Sequence, residues 1–132
     1  MSSTAFDFIT VREFRESLER DYAEMRACFA AQAWKSVQVV AGSIIESLLV
    51  DYLSSTTAVG RPQKDPLRLD LAEAITLCRT EKAISDRTAD LCSVIRSYRN
   101  LIHPGRAIRL AEPQPSEKSA QIAVSVVDLY RR

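Results

Sequence analysis

The chain has 132 residues, 46% of them hydrophobic and 27% charged. That is enough for one globular domain with a sizeable core and too short for two ordinary ones. Eighteen Lys+Arg against seventeen Asp+Glu leave a formal net charge of +1, which excludes a bulk basic field for gripping a long duplex. Any nucleic-acid contact has to come from a local patch.

Three glycines and five prolines are too few for a low-complexity chain or for an all-β chain full of tight turns. Cys28, Cys78 and Cys92 are odd in number, far apart and without C-x-x-C spacing, so neither a disulfide framework nor a zinc cage is expected. Free thiols fit the reducing cytosol. The opening residues lack the basic and apolar regions of a secretory signal. The longest apolar stretch, 37–53, is interrupted by Gln38, Ser43, Glu46, Ser47 and Asp51, whereas a membrane span needs ~18 or more nearly unbroken apolar residues. The expectation is a soluble cytoplasmic protein, a single domain over 1–132, with no membrane contact, no metal and no cofactor.

Along the first segment, 10–33, the apolar positions Val11, Phe14, Leu18, Tyr22, Met25 and Phe29 recur at steps of three and four and form one helical stripe. Thr10 and Glu13 have the spacing of a capping box. The other face carries Arg12, Arg15, Glu16, Glu19, Arg20, Glu24 and Arg26, reads as solvated, and places Glu16 one turn from Arg20. The segment 34–53 is apolar almost all round, as expected of the central helix of a bundle. Trp34, Val37, Ala41, Ile44, Ile45, Leu48 and Tyr52 make its main face. No Gly or Pro marks the join between these helices; the turn is expected near 31–35, because two helices of this combined length cannot form one rod in so small a domain.

Residues 54–67, with Gly60, Pro62 and Pro66 among small polar residues, read as a long connection of the kind used for mobile or lid-like loops. Asp70 and Glu73 are a second capping signature, opening a short helix to about Thr80. Ser85 caps a fourth helix expected to run to about His103, where Pro104-Gly105 ends it. After an irregular stretch, 116–131 reads as a last helix with Ile122, Ala123, Val126, Val127 and Tyr130 facing inward. The sum is an all-α bundle of about five helices.

One stretch carries chemistry: Arg96-Ser-Tyr-Arg-Asn-Leu-Ile-His103-Pro-Gly-Arg106. On a helix His103 falls within ~20° of Arg96, with Arg99 and Asn100 about 60° and 40° to either side. Two guanidiniums can grip a phosphate through forked hydrogen bonds. The only histidine can exchange a proton near neutrality, and an amide can orient an imidazole or a sugar hydroxyl. With no carboxylate pair and no His/Cys ligand group, this set suits metal-free phosphodiester chemistry. The plainer alternative is a histidine and arginines that meet the carbonyls and dipole at a helix C-terminus.

The apolar second helix with its acidic residue, Ala41-Gly-Ser-Ile-Ile-Glu46-Ser-Leu-Leu49, and the segment Arg99-Asn-Leu-Ile-His103-Pro104 resemble the HEPN superfamily of small α-helical domains from prokaryotic toxin, anti-phage and RNA-processing systems. The family pattern is Arg, four to six residues, then His, usually with a polar residue after the Arg. Arg96 has six residues before His103; Arg99 has the polar Asn100 after it but only three. Both arginines are therefore carried.

The resemblance implies a metal-independent endoribonuclease in which His103 is the general acid/base, Arg96 and Arg99 stabilise the phosphate and Asn100 positions it. It also implies a homodimer with the two motifs facing each other across a cleft, and products with a 2′,3′-cyclic phosphate and a 5′-hydroxyl. An antitoxin or operon partner protein would accompany a toxin. Other members of the superfamily are non-catalytic nucleotide- or partner-binding modules, which is the alternative for this chain.

Glu46, midway along an apolar helix, calls for a partner, and Arg96 or Arg99 would be held by it. Arg106 and Arg109 extend the cationic patch toward an RNA backbone, or simply keep a loop soluble. Trp34 and Tyr52 lie on the main apolar stripe and read as core rather than as base-stacking platforms.

Overall fold

The computed structural model describes residues 6, 9, 12–56, 61, 64–99, 105 and 114–130. Among the described residues five α-helices can be bounded, in chain order α1 (Arg12–Ala30), α2 (Trp34–Ser55), α3 (Leu71–Thr80), α4 (Asp86–Arg99) and α5 (Glu117–Tyr130), with a 3₁₀ turn at Pro66–Arg68. Among the described residues there is no strand. The all-α bundle expected from the apolar periodicity is what the chain forms.

The central place of α2 follows from its composition. Val37, Ala41, Ile44, Ile45, Leu48, Leu49, Val50 and Leu53 are all buried and cover more than half of the helix circumference, and no residue from Val37 to Leu53 is exposed. It packs against α1, α3, α4, α5 and the 3₁₀ turn, while α4 also packs against α3 and α5. The Tyr22 hydroxyl donates to Asp128 Oδ1 at 2.8 Å and ties α1 to α5. By length and composition α2 is the one described helix able to cross a bilayer, yet 61% of its apolar window is buried inside the bundle.

The stripe on α1 is partly as expected: Leu18 and Met25 are buried, and Phe14, Tyr22 and Phe29 pack against the core. Trp34 meets Phe29 edge-on at 5.2 Å and packs, half-buried, against the core. The opposite face is less uniformly solvated than its charge implies. Arg15 is half-buried and donates to the Ile9 carbonyl at 2.8 Å. Glu16 pairs with Arg12 at 2.9 Å, one turn N-terminal of it. Thr10, half of the expected first capping box, lies outside the described residues.

The first turn is made without glycine. The Ala33 N–H donates to the Cys28 carbonyl at 2.9 Å and the Gln32 N–H to the Phe29 carbonyl at 3.0 Å, with Gln32 at φ 61°. This is a Schellman ending with a left-handed residue just past the helix. The same device closes α3, where the Ala83 N–H donates to the Cys78 carbonyl at 2.9 Å and Lys82 stands at φ 59°. A side chain in this conformation carries a steric cost that glycine avoids. Gln32→Gly and Lys82→Gly are therefore each expected to raise unfolding stability by about 0.5–1 kcal/mol, the gain net of glycine's greater unfolded-state freedom. Urea unfolding midpoints at unchanged m-value check this.

The starts of α3 and α4 match their expected caps. Asp70 and Glu73 form a full capping box on α3, with the Glu73 N–H donating to Asp70 Oδ1 at 2.8 Å. The Thr88 N–H donates to Ser85 Oγ at 3.1 Å at the start of α4. Ser116 and Ser119 exchange bonds at the start of α5.

In the connection between α2 and α3, residues 57–60, 62 and 63 lie outside the described residues, and Arg61 is held in place. Helix α2 continues through Ser55, and Pro66 opens the 3₁₀ turn. Between them Arg61 is pinned at both edges of its guanidinium. Nε and Nη2 donate to the two Glu81 carboxylate oxygens at 2.6 and 2.5 Å. Nη1 donates to the Leu53 and Thr56 carbonyls, both at 2.7 Å. The Arg61 and Glu81 side chains are only 11% and 13% exposed. One arginine thus satisfies carbonyls at the C-terminal end of α2 and clamps the loop to the end of α3.

Candidate functional site

Helix α4 buries Ala89, Cys92 and Ile95. Arg96 lies four residues after Cys92 and seven after Ala89, so it flanks the buried stripe and is half-buried. Sequence periodicity placed it on the face opposite the apolar side chains. The correction is a rotation of the buried stripe toward Arg96, with Leu91 half-buried and Val94 43% exposed on the far side. Arg99 is the last residue of α4. The side chain of Arg99, together with Asn100, His103, Arg106 and Arg109, lies outside the described residues. Gly105, expected to terminate a helix, is helical and exposed, with open space where a Cβ would stand.

Glu46 is half-buried in a cleft of about 450 Å³ between α1, α2 and the 3₁₀ turn. Ser17 and Asp21 of α1, and Ser43 and Ser47 of α2, share the lining with it, and Leu67, 65% exposed, stands at the rim. No described residue of α4 lines this cleft. Burial, and then the nearby Glu24 carboxylate, raise the Asp21 carboxyl above its ordinary range, with Arg20 opposing. Asp21 and the hydroxyls were not singled out in the sequence, because on α1 Asp21 reads as one more surface charge.

The two inner thiols are chemically quiet. Cys78 and Cys92 are fully buried, and desolvation pushes them up to about 12 and about 11 respectively. Thiolates are scarce at neutral pH under those conditions. Among the described residues no group of three or more His, Cys, Asp or Glu side chains gathers as a metal site.

A second concavity is apolar and lies on α5. Ile122, expected to face inward, is 43% exposed, and Leu129 is 56% exposed. With Leu91 of α4 they line an open groove of about 840 Å³. Ala123, Val126 and Val127 do point into the core. The inward arc of α5 is therefore narrower than the apolar pattern implies, and Ile122 falls just outside it.

The described residues thus define the class of molecule, a five-helix all-α bundle with a guanidinium at the flank of α4. Comparison with protein-family models, with curated proteins and with solved structures finds no match.

Proposed function

We propose that this chain is a metal-independent endoribonuclease of HEPN type, acting as a homodimer on RNA. The observation that supports the reading is the half-buried Arg96 on α4, three residues before Arg99 and seven before the only histidine. Half-burial on α4 limits the directions the Arg96 side chain can take, and a phosphate-binding group gains from a restricted orientation. In this reading His103 deprotonates a ribose 2′-hydroxyl or protonates the leaving 5′-oxygen. Arg96 and Arg99 bind the phosphate and offset the charge that grows on it. Asn100 orients the imidazole, and Arg106 and Arg109 follow the RNA backbone.

The test is incubation of the purified full chain with mixed RNAs in EDTA. Cleavage persists, leaves 2′,3′-cyclic phosphate and 5′-hydroxyl ends, and vanishes in His103→Ala. Loss of cleavage in EDTA, or cleavage unchanged in His103→Ala, overturns the proposal. A second reading, a non-catalytic helical module that binds a partner, draws on the exposed apolar groove of α5. It is the reading left if the wild-type chain associates but cuts no RNA.

A further inference from the structure

We draw no further inference here: the strongest candidate, the cleft between α1, α2 and the 3₁₀ turn where Asp21 and Glu46 stand among the hydroxyls of Ser17, Ser43 and Ser47, is two carboxylates among small polar residues with nothing further that points to a ligand, and Glu46 already has an interaction of its own.

Discussion

Replacing Arg61 by alanine lowers unfolding stability by about 2–4 kcal/mol, the scale for removing one partner of a desolvated, hydrogen-bonded ion pair. The guanidinium makes two bonds to Glu81 and two to carbonyls near the end of α2. Its loss leaves a mostly buried carboxylate and two acceptors short of donors. Arg61→Lys recovers little, because a single ammonium cannot span both edges. Glu81→Gln costs less, since the amide oxygen still accepts one bond. Denaturant unfolding of the two single variants and the double variant gives the coupling directly.

Acid sensitivity follows from the same pair. The Arg61 hydrogen bonds hold the Glu81 carboxyl below its ordinary range, against an opposing push from burial, with further help from the Arg61 charge and the Tyr52 hydroxyl. The folded chain therefore binds this proton less tightly than the unfolded chain does. The stabilisation is complete above the ordinary glutamate range, about pH 4–5, and is lost as pH falls through the lowered folded value. Glu73, lowered first by the Asp70 N–H and then by Lys64, acts in the same sense. Stability measured from pH 7 downward should fall less steeply in Glu81→Gln than in the wild type.

Gln38→Leu is expected to stabilise the chain by roughly 1–3 kcal/mol. Gln38 is 1% exposed on the central helix, and neither its amide nitrogen nor its amide oxygen has a hydrogen-bond partner among the described residues. Folding strips water from a donor group and an acceptor, and no described residue returns a hydrogen bond to either. Leucine has a similar volume and no polar atom to desolvate, so the space stays filled. Thermal and urea melts of Gln38→Leu check the direction; Gln38→Ala, which removes the amide but opens a cavity, should gain less or lose stability.

Helix number, order and most boundaries were legible in the sequence because their causes are local. Asp70 with Glu73, and Ser85 before α4, announce their helices by side chains that reach only three residues. The apolar circumference of α2 announces a central position for the same reason. What was not legible depends on neighbours distant in the chain. Arg61 and Glu81 are twenty residues apart and look like ordinary surface charges until the loop folds back.

The buried arc of α4 rotates toward Arg96, and that of α5 stops short of Ile122. Helical periodicity fixes the width of an apolar stripe to within one side chain, and the packing partner decides which edge is covered. Of the candidate site, the spacing from Arg96 to His103 suggests a shared face in the sequence, and the structure adds only that Arg96 is half-buried. Glu46, expected to orient an arginine of α4, lines a cleft that α1 completes, and the Arg99 side chain lies outside the described residues.

The two glycine-free turns at Gln32 and Lys82 also bear on kinetics. Each joins neighbouring helices through a handful of residues, so α1 with α2, and α3 with α4, are hairpins whose contacts close small loops. Such units assemble on the fast side of the rates for domains of this size. The slow event is then the docking of one hairpin on the other and the arrival of α5, and the Arg61 clamp belongs to that late step. Its removal should accelerate unfolding while leaving the refolding rate nearly unchanged.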